Sequence, residues 1–215
     1  KLEKDTFSKI EFVKGDVRDL ELVTTASKGC DLIFHFAAVL GVDIVADNPV
    51  ETMDVEVIGA RNVVFAAEMN NIKKIMYAST SGIYGHSAIE NALTEEVLVD
   101  PRTSYAMAKR YNEIYLASHH QERGIDVISL RFFNVYGWNQ DTRMVIPLFF
   151  EQAAKNSKIT VFGNGKQTRD FTYIDDTVEA CVRLMDIKGC HIVNIANEAE
   201  WCIDDVAEKI KDITN

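Results

Sequence analysis

Apolar residues recur along this chain in two rhythms. Short dense runs, Ile10-Glu11-Phe12-Val13, Cys30-Asp31-Leu32-Ile33-Phe34-His35-Phe36, Lys74-Ile75-Met76-Tyr77-Ala78 and Asp126-Val127-Ile128-Ser129-Leu130, have the length and β-branched content of strands. Between them lie longer stretches with helical spacing: Arg18 to Lys28, a segment from about Pro49, and Ser104 to Gln121, which Gly124 is placed to stop. The nearly continuous apolar character of the Cys30 to Phe36 run predicts a strand covered on both faces, and strand–helix alternation predicts a parallel sheet wound on both sides. The fold class expected is therefore α/β, a doubly wound Rossmann-like sheet. In such sheets ligands gather beyond the carboxyl ends of the strands. Asp16, Ala37, Thr80 and the Phe133/Asn134 pair each directly follow an apolar run, so one cleft could collect them.

Past Pro147 the pattern loosens into a helix, a strand Ile159-Thr160-Val161, a helix from Asp175, the strand Ile192-Val193-Asn194-Ile195 and a final helix. No internal repeat, linker or low-complexity segment interrupts the chain. The expected organisation is a dinucleotide-binding part over residues 1–146 and a smaller substrate-binding lobe over residues 147–215.

Composition narrows the partners. The 215 residues are 47% hydrophobic and 26% charged, enough to bury a sizeable core, and the net charge of −10 without a basic run argues against nucleic acid. Cys30, Cys181, Cys190 and Cys202 have neither the mutual nor the histidine spacing of a zinc site, and read as thiols of a reducing compartment. With no signal peptide, no lipidation signal and no apolar run of about 18 residues, the default expectation is a cytoplasmic protein without a membrane partner.

The chemistry concentrates in Ser104-Tyr105-Ala106-Met107-Ala108-Lys109, preceded by Ser79-Thr80-Ser81-Gly82-Ile83-Tyr84-Gly85. On one helix, Tyr105 and Lys109 at i and i+4 share a face. An ammonium so placed would stabilise phenolate and draw the tyrosine pKa down from about 10, making Tyr105 a base toward a sugar hydroxyl, with Thr80 sharing the proton. A lone Tyr-x-x-x-Lys equally suits an ordinary amphipathic helix. The wider context discriminates: Gly15-Asp16-Val17-Arg18-Asp19, Phe34-His35-Phe36-Ala37-Ala38, the Thr80 segment, the Tyr105/Lys109 pair, Leu130-Arg131-Phe132-Phe133-Asn134-Val135-Tyr136-Gly137, and Val161-Phe162-Gly163-Asn164-Gly165-Lys166-Gln167-Thr168-Arg169-Asp170 follow in order.

With these motifs the chain resembles the extended short-chain dehydrogenase/reductase family, specifically the nucleotide-sugar epimerases and dehydratases such as UDP-glucose 4-epimerase-like proteins, over nearly its whole length. The resemblance implies NAD as cofactor, a nucleotide-diphosphate sugar as substrate, and a homodimer formed through paired helices such as Val50 to Met69 and Ser104 to Gln121. It implies Thr80, Tyr105 and Lys109 as the catalytic set. Asp16 and Val17 would meet the adenine, Phe36, Ala37 and Ala38 would pass under the cofactor, and Phe132, Tyr105 and Lys109 would complete its site. Asn134 would donate to a phosphate, Phe162 would stack on a base, and Arg169 would pair with the diphosphate, with Val145 and Thr160 beside them. Other roles stay open: a polar turn for Asp16 and Val17, a strand end for Phe36 to Ala38, and a structural ion pair of Arg169 with Asp170, Asp175 or Asp176. His35 reads as a packed core histidine.

Departures from the family pattern shape the reaction expected. Sugar dehydratases carry Asp-Glu after the threonine, and decarboxylases usually a glutamate in the second of those positions; here stand Ser81 and Gly82, which cannot shuttle elimination protons. The leading expectation is NAD-dependent epimerisation through a transient keto sugar, with a nucleotide-sugar reductase, dehydrogenase or decarboxylase as the enzymatic alternative. Glu56 occupies a position usually held by asparagine on the nicotinamide side, where its carboxylate would repel the cofactor phosphates or point away. Trp138 follows Tyr136-Gly137 where proline is frequent, and Met144 stands where a polar substrate contact is often found. No glycine-rich turn between a strand and a helix appears, so the first βαβ unit of roughly 30 residues is expected to be missing and one sheet edge exposed. A fragment of a longer chain, or a silent binding module, fits that feature.

Overall fold

The computed structural model describes residues 8–214 apart from 40 and 91. Its centre is a four-stranded parallel sheet of β1 (Leu32–His35), β2 (Lys74–Thr80), β3 (Asp126–Phe132) and β6 (Cys190–Ile195), in the order β1-β2-β3-β6. Before and between these strands run α1 (Leu20–Ala26), α2 (Val42–Asp47), α3 (Pro49–Met69), α4 (Ser87–Glu90) and α5 (Ser104–Arg123). A second layer is built from β4 (Asn134–Tyr136), β5 (Thr168–Tyr173) and β7 (Glu200–Cys202), with α6 (Val145–Ala154), α7 (Ile174–Leu184) and α8 (Ile203–Thr214) completing the chain.

The period-two alternation of strand side chains distributes the core over both sheet faces. Ile75, Tyr77 and Val127 point to one side, where Val63, Val64 and Ala67 of α3 and Leu116 of α5 pack on them. Met76, Ile128 and Leu130 point to the other, against Cys181 and Leu184 of α7 and Ile195. A separate cluster of Phe149, Phe171, Ile203, Val206 and Ile210 holds α6 and α8 to β5. Helices on both faces of a parallel sheet are the expected doubly wound architecture.

Helix α5 forms where the sequence places it. Thr103 caps its start by accepting the Ala106 N–H at 3.1 Å, and Gly124 ends it at φ +73°, donating to the His120 carbonyl at 2.9 Å.

Two expected strands do not form. Ile10 to Val13 has no partner strand among the described residues, and Phe12 is left 85% exposed; an extended segment without a ladder is not a strand. At Ile159 to Val161 a helix side chain takes the ladder's place. The Gln152 side chain accepts the Thr160 N–H at 2.9 Å and donates to the Thr160 hydroxyl at 3.3 Å, while Ile159 and Val161 pack on the Phe149 cluster. Among the described residues β1 pairs with β2 alone, and Phe34 is 42% exposed. Residues 1–4, counted in the sequence as the start beyond a missing unit, lie outside the described residues.

Candidate active site

The carboxyl ends of β1, β2 and β3 converge on the start of α5. Thr80, the last residue of β2, stands opposite Phe132 of β3, and its hydroxyl accepts the Gly82 N–H at 3.1 Å to open the 3-10 turn Ser81–Tyr84. The Tyr105 side chain lies beside the same hydroxyl. Lys109 lies one turn further along α5, its Nζ 5.4 Å from the centre of the Tyr105 ring and 4.9 Å from that of Tyr77. The three residues named from the motif are therefore brought together. Beside Tyr105 opens an apolar cavity of 470 Å³ lined by Val39, Val45, Pro49 and Thr103.

Lys109 does not serve Tyr105 as its spacing suggests. Its side chain is 1% exposed and forms an ion pair with the fully buried Glu56 of α3, Nζ to carboxylate oxygen 3.0 Å. Glu56 is thus turned into the interior, against Lys109. Beyond that ion pair neither of its carboxylate oxygens has a hydrogen-bond partner. Burial, and then the Glu56 charge, hold the Tyr105 pKa above its ordinary value, with only the neighbouring Thr80 hydroxyl acting downward. The lowering expected from the spacing is outweighed first by burial and then by the carboxylate that has the ammonium. Burial pushes Glu56 up and Lys109 down, and their mutual attraction pulls each back. His35 is packed behind the pair, 5.5 Å from the Tyr77 ring, and burial followed by the Lys109 charge lowers its pKa to about 4. It is the core histidine expected.

A second buried pair sits four residues along α5. Arg131 of β3 grips Glu113 with two hydrogen bonds of 2.9 Å, and Ser79 and Arg110 donate to the same carboxylate at 2.6 and 2.9 Å. Arg131 also donates to the Tyr84 hydroxyl at 2.8 Å, which donates to Asn194 of β6 at 2.7 Å. This lattice fixes the ends of β2, β3 and β6 relative to α5. It went unread in the sequence, although an arginine inside the apolar run Leu130-Arg131-Phe132 signals a buried charge in need of a partner.

The cofactor candidates collect at the other end of the cleft. Asp16, Val17 and Ala37 line one cavity of 400 Å³ with Leu22 and Phe34. Asn62 of α3 holds this loop by donating to the Val17 carbonyl at 3.0 Å. Asp16 is gripped by Arg18 through three side-chain contacts of 2.6 to 3.1 Å, which lower its pKa to about 2; the helix cap is Asp19, which accepts the Leu22 N–H at 3.1 Å. Phe36 meets Phe132 edge to face at 5.7 Å, and Ala38 is half-buried beside it.

The substrate candidates belong to the second layer. Asn134 directs its amide at the Asp170 carbonyl, 2.8 Å away, and Val145 packs on the Phe149 cluster. Thr160 is held by Gln152. Phe162 is 74% exposed. Arg169 is exposed and donates to the Thr168 carbonyl at 2.7 Å; among the described residues no ion pair with Asp170, Asp175 or Asp176 forms.

The profile of the NAD dependent epimerase/dehydratase family matches residues 1–196. The chain belongs to this family. It is 36% identical over 193 residues to a UDP-N-acetyl-alpha-D-glucosaminuronate decarboxylase of Bacillus cytotoxicus, covering 86% of this chain and 60% of that protein. It is 33% identical over 208 residues to a putative UDP-glucose 4-epimerase of Methanocaldococcus jannaschii, covering 94% and 68%. The crystal structure of a UDP-glucose 4-epimerase of Thermotoga maritima with UDP-glucose superposes with a TM-score of 0.90 at 27% identity, covering 96% of this chain and 69% of that one. The chain thus spans about three fifths to two thirds of the relatives it matches.

NAD is the cofactor of the family, and the described residues fit two parts of it. The Asp16/Val17 loop with its cavity suits the adenine side, and the small Ala37 and Ala38 with Tyr105 and Lys109 suit the nicotinamide side. Among the described residues no glycine-rich turn offers backbone amides to a pyrophosphate.

Proposed function

We propose that the protein is an NAD-dependent nucleotide-sugar epimerase in which Thr80, Tyr105 and Lys109 carry the catalysis. The observation that carries this reading is the placement of Tyr105 beside the Thr80 hydroxyl at the carboxyl end of β2, next to a cavity and followed by Ser81 and Gly82. The pair can hold and move a hydroxyl proton, while no acid or base follows Thr80 to eliminate water. The chemistry that NAD supplies when bound is acceptance and return of hydride at the sugar carbon. Tyr105 takes the proton of the hydroxyl on that carbon and gives it back to the keto oxygen, and Thr80 shares the proton in both directions. Asp16, Val17, Phe36, Ala37, Ala38, Phe132 and Lys109 hold the cofactor.

On the substrate side, exposed Phe162 and Arg169 offer a ring for the base and an unpaired fork for the diphosphate, with Asn134, Val145 and Thr160 shaping the lobe. The division proposed is a dinucleotide-binding part over residues 1–146 and a substrate-binding lobe over residues 147–215, although β6 and α7 of the second part pack with the central sheet. Exposed Phe65 and Met69 of α3 and Met107, Tyr111 and Ile114 of α5 support a homodimer through these helices. The location proposed is cytoplasmic; among the described residues no helix is long and apolar enough to cross a membrane.

Decarboxylation is the second reading, favoured by the likeness to the Bacillus cytotoxicus protein. The test is to incubate the protein and NAD with UDP-glucose, UDP-N-acetylglucosamine and UDP-glucuronate and to follow the products by NMR. Conversion to an epimer of unchanged mass, abolished by Tyr105→Phe, is expected. Loss of carbon dioxide from the uronate would establish the second reading, and net NADH turnover would identify a dehydrogenase or reductase.

A further inference from the structure

Glu56 stands at the midpoint of a buried polar line. Its carboxylate is fully buried, with Lys109 Nζ 3.0 Å away from α5. Apart from that ion pair, neither carboxylate oxygen has a hydrogen-bond partner. Asn112 of α5 secures the arrangement twice, donating to the Tyr77 hydroxyl at 2.9 Å and to the Glu56 backbone carbonyl at 3.1 Å. The remaining titratable groups facing this centre are His35 of β1, held neutral by burial, and Tyr105 of α5. Glu113 is committed to Arg131, Ser79 and Arg110. One ammonium therefore stands between one carboxylate and one phenol, and it is the carboxylate that holds it.

We propose that Glu56 is a positioning residue that withholds Lys109 from Tyr105, so that the tyrosine of this protein carries its proton in the unliganded site and releases it only when Lys109 is drawn away. The proposal rests on Tyr105 being the proton-transfer group. Two charges decide the outcome. A phenolate at Tyr105 would form beside the Glu56 anion, with no cation left over to balance it. A phenol begins to ionise near pH 10, and even strongly shifted buried glutamates have lost their proton by about pH 9, so the carboxylate is charged wherever the competition matters. With a neutral side chain at position 56, the phenolate becomes the nearest anion available to Lys109.

The test needs neither substrate nor cofactor. Ultraviolet difference titration of the phenolate band, in the protein and in its Tyr105→Phe variant, isolates the ionisation of Tyr105. In the unaltered protein Tyr105 is expected to stay protonated to about pH 10 or beyond. In Glu56→Gln and Glu56→Asn its midpoint is expected to fall by about one pH unit or more, corresponding to loss of the Glu56 charge, while Glu56→Asp retains the original midpoint. Unchanged midpoints in both neutral variants would overturn the proposal. So would a Tyr105 midpoint near neutrality in the unaltered protein, a result available even if neither variant folds. Because the titration reads the free protein, it stands whether or not an epimerase activity is found, and an active enzyme with unmoved titration would remove the proposal alone.

Discussion

Two carboxylates, Glu56 and Glu113, are buried against the same helix α5, and their environments drive them in opposite directions. Glu113 receives two hydrogen bonds from Arg131, one from Ser79 and one from Arg110. Burial raises its pKa, but these donors and the Arg131 charge outweigh burial and the net shift is downward. Glu56 is as deeply buried and has the Lys109 ammonium beside it but no hydrogen-bond donor on either oxygen, and burial wins. An arginine fork matches both oxygens of a carboxylate, whereas an ammonium is a compact charge that can leave. The saturated pair locks strand ends to a helix, and the unsaturated pair supplies a cation that can change partners. A buried ion pair is structural or reactive according to how completely its donors are counted.

The sharpest way to break this comparison is to strike each centre and read both stability and rate. Tyr105→Phe is expected to lower kcat by about 10²- to 10⁴-fold and to leave the melting temperature nearly unchanged. Arg131→Met should do the converse. Leaving Glu113 buried without its partner costs about 3–5 kcal/mol, read by urea denaturation. A next step separates the pairs by replacing both partners. Lys109→Met alone strands Glu56 and should cost about 3 kcal/mol or more, whereas Lys109→Met with Glu56→Gln should recover most of that loss.

Acid sharpens the contrast further. The folded-state pKa of Glu113 is lowered, so its stabilisation is complete above the unfolded value of about 4.3 and is lost as pH falls through the folded value. Glu113→Gln should therefore flatten the decline of stability below pH ~4.3, measured by denaturation across a pH series. The smallest expected effect is a control at a distance from both centres. Asp19→Ala removes the cap of α1 and should cost about 1 kcal/mol, with kcat and the Tyr105 titration unmoved.

What could be read from the sequence follows from what is local. The core strands, helix α5 with its Gly124 stop, and the Thr80–Tyr105–Lys109 grouping depend on periodicity, capping and spacing within short segments, and each is found. The Ile10 and Ile159 segments carry strand-like composition, but a strand exists only with a neighbour, and composition does not reveal that Gln152 takes the place of one. The small layer of β4, β5 and β7 was missed for the related reason that its strands are short and polar. Glu56 stands out in the sequence as a departure, but its direction stays open there. Its partner lies 53 positions away on another helix, and only the packing of α3 on α5 brings the two charges together. Arg131 was the more legible case, since a charge within an apolar strand announces that a counter-charge must exist.

The most direct test of the two-carboxylate account is a carbon-13 NMR titration of the side-chain carboxyls in glutamate-labelled protein, with the two resonances assigned by Glu56→Gln and Glu113→Gln. The account predicts Glu113 titrating below the ordinary glutamate value of about 4.3 and Glu56 above it. Coincident midpoints, or the reverse order, would contradict it.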